Sequence, residues 1–274
     1  MKIAVLSDIH SNIYGLILAL EDSKRNNIDK YIFLGDYITD GYISNEILDL
    51  VKLYGDYVII GNREKYILNY DPSRKEYDNY KTITYTYESL NSDSINYIKS
   101  LKEEEIIKFN NYKILIIHGD KYFIESDNVD YDSIINDHED FDICLFGHFH
   151  IYSDVLYKGR RFINPGSVGI PADGPTYKYA ILDLDNSFNV ELREFNTRDT
   201  YTLLLNEFIE SDYYKINPIW SNLVLRTIKY GKDCCYDFIK LLNKRINNRE
   251  YSVSEFNKIW EEVYNEFIST YNFE

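Results

Sequence analysis

A chain of 274 residues has room for one large domain, or for one domain with an appendage. Hydrophobic residues make up 45% of it, which is ample for a buried core. The formal charge of −15 and a pI near 4.8 argue against a nucleic-acid-binding face, which normally clusters Lys and Arg. The short basic run from Lys158 to Arg161 is too small to supply one. An acidic exterior also repels anionic substrates, so a phosphate substrate would need concentrated positive charge, which metal ions can provide. The cysteines are Cys144, Cys234 and Cys235, an odd set with one adjacent pair. That is no disulfide framework and points to a reducing compartment. The apolar run after Lys2 is interrupted by Asp8 and His10, so it reads as a strand rather than a signal peptide. No apolar stretch approaches the roughly 18 residues of a membrane span. A cytoplasmic protein without a membrane partner is expected.

Lys2 to Ser7 predicts a buried strand. Ile13, Leu16, Ile17 and Leu20 then recur at helical spacing, with Ser11 or Asn12 available as the N-cap. Tyr31 to Leu34 predicts a second strand, Ser44 opens a helix through Ile47, Leu48 and Val51, and Tyr57 to Ile60 predicts a third strand. This alternation implies a largely parallel sheet covered by helices, an α/β fold. A Tyr/Asn-rich stretch, helical or irregular, follows. Glu105 to Phe109 and Tyr112 to Ile117 flank Asn110-Asn111, a two-residue hairpin turn, because Asn tolerates positive φ. Ile143 to Phe146 predicts another buried strand, and Tyr179 to Leu184 with Phe188 to Phe195 a second hairpin about Asp185-Asn186. Beyond about Asp199 the pattern is helical, with a capping box at Ser252 and Glu255. Residues 1–197 are therefore read as the main domain and 198–274 as a helical C-terminal extension packed on it.

Polar residues sit at the carboxyl ends of the predicted strands. The first ends in Asp8-Ile9-His10-Ser11-Asn12, the second in Gly35-Asp36 and the third in Gly61-Asn62-Arg63-Glu64. Two more end in His118-Gly119-Asp120 and Gly147-His148-Phe149-His150. In an open α/β sheet ligands bind beyond the carboxyl ends of the strands. Five strand ends would thus bring Asp8, His10, Asp36, Asn62, His118, His148 and His150 to one crevice. Four of the chain's five histidines fall in these motifs. Imidazole mixed with carboxylate and amide oxygen suits manganese, iron or zinc, and seven ligands suit two ions sharing a carboxylate.

These motifs, in this order, resemble the signature of the calcineurin-like metallophosphoesterases, and in style the small bacterial and archaeal phosphodiesterases. The likeness covers roughly the first 195 residues, and Asn164-Pro165-Gly166-Ser167 also fits it. It implies a four-layer α/β/β/α sandwich. It implies one ion on Asp8, His10 and His150, another on Asn62, His118 and His148, and Asp36 bridging them. Two such cations would generate hydroxide near neutral pH for in-line attack on a phosphate ester and offset the charge that develops.

Arg63 departs from the pattern, since many relatives carry His after the Asn. Arg cannot act as a general acid but can clamp phosphate oxygens. That favours substrates with good leaving groups. A small-molecule phosphodiesterase or phosphatase is expected, with a dinucleoside polyphosphate hydrolase as the narrower alternative and a catalytically silent metal-binding scaffold as the third. Pairing of Arg63 with Glu64 competes with the clamp. Asp120 is expected to orient His118 or to be exposed, His138 to be a solvated surface residue, and Asn164 to Ser167 to form a tight turn. The tail is expected to shape or cover the crevice, or to form a homodimer contact.

Overall fold

The computed structural model describes residues 1–125, 128–185, 188–247 and 249–270. Its first half runs β1 (Lys2–Leu6), α1 (Ile13–Arg25), β2 (Lys30–Phe33), α2 (Asn45–Tyr54), β3 (Tyr57–Val58), α3 (Asn62–Leu68), α4 (Lys81–Ser89) and α5 (Ser92–Ser100). Next come β4 (Glu104–Phe109), β5 (Tyr112–Ile117), β6 (Phe123–Glu125), β7 (Asn128–Val129), α6 (Tyr131–Asp137) and β8 (Ile143–Phe146). β9 (Tyr152–Tyr157), β10 (Arg160–Pro165), β11 (Thr176–Asp183) and β12 (Asn189–Asn196) complete the strands. The tail is helical: α7 (Arg198–Glu210), α8 (Asp212–Ile216), α9 (Pro218–Tyr230), α10 (Cys234–Ile246) and α11 (Val253–Thr270).

The strands form two five-stranded sheets, ordered β12-β11-β1-β2-β3 and β4-β5-β8-β10-β9. In the first, β1 runs parallel to β2 and antiparallel to β11, with Val5 opposite both Ile32 and Ala180. In the second, β5, β8 and β10 are parallel, and β4 and β9 join as antiparallel edges. Side chains alternate between sheet faces along each strand, and this sorts the core. Ile3, Val5 and Ile32 of the first sheet pack against Ile114, Ile116 and Leu145 of the second. The intervening Ala4, Leu6 and Phe33 face a helical layer through Leu16, Ile47 and Val51. Leu115, Ile117 and Phe146 face outward onto Ile134 of α6. The result is the four-layer α/β/β/α sandwich, whose central strands read as continuous apolar runs because both faces are buried.

Local signals explain the boundaries. Asn12 caps α1 by accepting from the Gly15 N–H at 3.2 Å. Ser252 and Glu255 form the capping box, with Glu255 Oε2 accepting from the Ser252 N–H at 3.0 Å. Asn110 turns the β4–β5 hairpin at φ 50°. β3 is shorter than expected, because Ile59 makes only an isolated bridge to Lys102. The Tyr/Asn-rich stretch resolves into α4 and α5. The β9–β10 hairpin, turning at Lys158 and Gly159, was not signalled because Lys at φ 48° is not a usual turn residue. At the second expected turn, Asn186 lies outside the described residues. The tail helices gather around Trp220, Leu223, Phe238, Trp260 and Phe267, and this cluster continues into Ile170 and Tyr177 of the core. Among the described residues no helix is long and apolar enough to cross a membrane.

One buried charge ties the helical layer to the sheet. Asp22 on α1 is only 7% exposed and accepts from Tyr179 Oη at 2.7 Å, Arg193 Nε at 2.8 Å and Arg193 Nη2 at 2.9 Å. Burial works to raise this carboxyl, but the bonds from Arg193 and Tyr179 outweigh it and hold it below its ordinary 3.8. A depressed carboxylate contributes stability that is full above its unfolded value and fades as pH falls through its folded one. Asp22→Asn is therefore expected to lower stability by about 2 kcal/mol at pH 7, because Arg193 loses two charged bonds and keeps only Glu191. Urea melts across pH should show the gap to wild type holding above about pH 4 and narrowing below it.

Candidate metal centre

The strand ends of both sheets open on one crevice, and all seven expected ligands meet there. Asp8, His10 and His150 bring one donor atom each within 4.8 Å of one another, as do Asp36, His118 and His148. Asn62 Oδ1 lies 2.9 Å from both His118 Nε2 and His148 Nδ1. Asp36 stands between the groups, with Oδ1 3.3 Å from His118 Nε2 and Oδ2 3.8 Å from His10 Nε2. His10 Nε2 and His150 Nε2 are 3.0 Å apart, and His150 Nε2 is 3.4 Å from Asp8 Oδ1.

This convergence depends on an unusual backbone. Asp8, His10, Asp36, His148 and His150 all take positive φ, between 47° and 72°. Each such residue costs about 1–3 kcal/mol and persists only where its surroundings over-determine it. Here the carbonyl of Asp36 accepts from the N–H groups of Ile9 at 2.8 Å and His10 at 3.0 Å. Glu64, fully buried, accepts from the N–H groups of Tyr37 (2.7 Å), Gly61 (2.9 Å), Asp36 (3.0 Å) and Ile38 (3.2 Å). Ser167 Oγ donates to the Asp8 carbonyl at 2.7 Å, and Asn164 Nδ2 donates to the Gly147 carbonyl at 2.8 Å. The Asn164–Ser167 segment thus contains a turn, at Gly166, and also braces two of the ligand loops. At Gly61 a Cβ would lie 2.2 Å from Asp36 Oδ1, so only glycine admits this approach.

The hydrogen bonds fix which imidazole nitrogens carry protons. His118 Nδ1 donates to the Leu34 carbonyl at 2.7 Å, and His10 Nδ1 donates to Asp40 Oδ2 at 2.8 Å. In the neutral ring Nε2 is then a bare lone pair. Those lone pairs point at Asn62 Oδ1, Asp36 and His150. Ring nitrogens and oxygens facing one another at such distances share a proton or a cation, and the donor set fits the two-ion assignment.

Burial opposes charge on His118, but Asp36 and Asp8 outweigh it and lift the ring to about 10. Burial and the charge of His118 push His148 down to about 4. Burial would raise Asp36 and Asp8 as well. His118, His10 and Arg63 hold Asp36 far below the carboxylate range, and His150 with His118 lowers Asp8. Burial and Asp36 push Glu64 up to about 7 against its bonded N–H groups.

Several expectations change. Asp120 does not orient His118; it pairs with Lys65 at 3.5 Å, and the Leu34 carbonyl takes the orienting role. Arg63 does not pair with Glu64, whose carboxylate is consumed by backbone N–H groups. It reaches Asp40 through Nη2 at 3.4 Å and Asp36 through Nε at 3.8 Å. His138 is not freely solvated: its side chain is 10% exposed and lies 3.1 Å from Tyr122 Oη. Two residues were missed. Asp40 binds His10, accepts from Trp220 Nε1 at 2.7 Å, and is held ionised against burial by Arg63 and His10. Glu64 is the other, and its capping position three residues after Gly61 was the available signal.

A cavity of about 470 Å³ opens over the cluster. His10, Asp36, Asn62, Arg63, His148 and His150 line one side. The tail contributes Trp220 from α9, the α10 N-cap Asp233, and Tyr236 and Lys240 from α10.

Two stacked five-stranded sheets with this donor cluster at their strand ends define a metallophosphoesterase. Residues 1–187 match the calcineurin-like phosphoesterase superfamily domain, and the chain belongs to that family. An uncharacterized protein of Methanocaldococcus jannaschii is 29% identical over 211 residues, which is 69% of this chain and 85% of that protein. The probable metallophosphoesterase YsnB of Bacillus subtilis is 36% identical over 87 residues, 31% of this chain and 50% of YsnB. Among solved structures, a hypothetical protein from Pyrococcus horikoshii shares the fold at a TM-score of 0.65 and 21% identity, covering 84% of this chain and 98% of that one. A metallophosphoesterase from Sphaerobacter thermophilus does so at 0.59 and 22%, covering 80% and 98%.

Asp40→Asn should weaken Mn²⁺ binding about 10–100-fold by calorimetry while leaving the circular dichroism spectrum unchanged, because it loosens the hold on His10. Gly61→Ala should lose binding more completely, since the added methyl displaces Asp36.

Proposed function

We propose that the chain hydrolyses a small phosphate ester at a dinuclear metal centre, as a phosphodiesterase or phosphatase. The observation that carries this is the position of Asp36, with one oxygen facing each of two donor groups. Asp8, His10 and His150 would hold one ion, Asn62, His118 and His148 the other, with Asp36 shared. Manganese, iron and zinc all suit these donors. Two cations held there would supply an ionised water near neutral pH and offset charge on the phosphoryl oxygens. The protein's own part is positioning. Asp40 and the Leu34 carbonyl fix the tautomers of His10 and His118, and the braced loops hold the carboxylates in place.

Arg63 lines the cavity beside Asp36, where a phosphoryl oxygen would sit, and its side chain is 23% exposed. It adds a fixed positive charge but no transferable proton. That supports a second reading, a dinucleoside polyphosphate of the diadenosine tetraphosphate type, whose phosphate leaving group needs no proton. Convergence of all seven donors speaks against a silent scaffold.

Mn²⁺-reconstituted protein should hydrolyse at least one of p-nitrophenyl phosphate, bis-p-nitrophenyl phosphate and diadenosine tetraphosphate. Asp36→Asn should reduce that rate to the metal-free background. Wild type that binds two ions and cleaves none of the three would sink the enzymatic reading. Arg63→Ala should lower kcat/KM about 10–100-fold, and Arg63→Lys should restore only part of it, because a point charge replaces a planar fork.

A further inference from the structure

The wall of the cavity facing the metal cluster sets aromatic side chains among Asp233, Asp237 and Lys240. It is an aromatic shelf built partly by the core and partly by the tail. Phe123, on the short β6, packs edge-on against the candidate ligand His148, with ring centroids 5.5 Å apart at 75°. The same ring meets Phe149 at 4.7 Å and Tyr236 of α10 at 6.3 Å and 89°. On α10, Tyr236, Ile239 and Lys240 stand three and four residues apart, so they share one helical face, and all three line the cavity. Lys240 Nζ lies 5.9 Å from the Tyr236 ring centroid. This face therefore offers an aromatic ring, an aliphatic surface and one cation. Asp233, the α10 N-cap, lines the cavity beside them and accepts from the Tyr236 N–H at 2.9 Å, which fixes the start of the helix and hence the ring.

The cavity volume of about 470 Å³ is that of a small-molecule site, for which roughly 300–1,000 Å³ is usual. A phosphate placed among Asp36, Asn62 and Arg63 has room for its organic substituent along the shelf that begins at His148, since both belong to one cavity. A flat ring attached through a sugar meets both surfaces of the wall: the ring has the faces of Phe123, Phe149 and Tyr236 to stack on, and the sugar hydroxyls have Asp233, Asp237 and Lys240 within the same cavity to bond.

We propose that Tyr236 and Phe123 form a specificity wall that selects phosphate esters carrying an aromatic ring, with nucleoside phosphates the class that fits. The proposal rests on the phosphoesterase reading and assigns the tail helix α10 the choice of substrate. Tyr236 and Phe123 act on the substituent and take no part in breaking the ester bond.

Two esters with the same leaving group separate the wall from the chemistry: thymidine 5′-p-nitrophenyl phosphate and methyl p-nitrophenyl phosphate. Mn²⁺-loaded wild type should prefer the thymidine ester by about tenfold or more in kcat/KM, the scale of one base stacked on an aromatic side chain. Tyr236→Ala should erase most of that preference through KM and leave the methyl ester within about twofold, and Tyr236→Phe should restore it. Should Tyr236→Ala fail to fold, Tyr236→Leu makes the same comparison while keeping apolar bulk at that position. Equal use of both esters by wild type, or an equal loss on both in the variants, overturns the wall while the phosphoesterase reading stands. Should neither ester be cleaved, the phosphodiesterase arm of that reading fails instead. Calorimetry of thymidine 5′-phosphate against methyl phosphate then decides the wall on binding alone, and equal affinities overturn it.

Discussion

The structure is organised around buried negative charge. Asp8, Asp36 and Asp40 are each no more than 2% exposed, and they stand at the mouths of neighbouring strands. Ionised carboxylates out of water are expensive unless they are paired, and like charges make matters worse. The chain answers with what it has. It leans Arg63 onto Asp36 and Asp40, turns His10 and His118 toward carboxylates, and gives Glu64 four N–H donors of its own. One guanidinium and the imidazoles offset that charge enough to hold all three carboxyls below their ordinary range, and they do so with ring nitrogens that face the two donor groups. Cations bound there would take over the same task.

Holding such a cluster requires the surrounding loops to be rigid in conformations that most residues avoid. The left-handed residues follow directly upon strands whose sheets are packed face to face, so their positions are set by core packing rather than by the loops themselves. Backbone bonds from Ile9 and His10 to Asp36, and the Ser167 and Asn164 braces, then remove the remaining freedom. Strain stored this way keeps donors in place before any ion or substrate arrives.

Much of this was legible in the sequence, for identifiable reasons. A buried strand leaves an apolar run, and a polar residue beside a glycine at its end leaves a local mark that Asp36, Asn62, His118 and His148 carry; Asp8 and His150 have no adjoining glycine and stand out only by their place after a strand. The four-layer sandwich itself came from the family resemblance, since apolar runs say that strands are buried but not on what. Asp40 carries no such mark. It looks like any turn aspartate, and its importance comes from His10 on one side and Trp220 on the other, neither of which is near it in the chain. Glu64 sat next to the arginine that drew attention, and a neighbour in sequence was mistaken for a partner in space. The helical tail was visible as periodicity, but which face of α10 meets the crevice depends on how five helices pack together.

The hydrogen bond from Trp220 to Asp40 spans 180 residues of chain. The residue that steadies His10 is thus itself steadied by a helix that leaves the ribosome long after the seven ligands. Until α9 docks, Asp40 lacks the Trp220 bond and the cavity lacks the wall that α9 and α10 supply. The order in which the chain is made thereby becomes an order in which the surroundings of the crevice are finished, candidate donors first and far wall last.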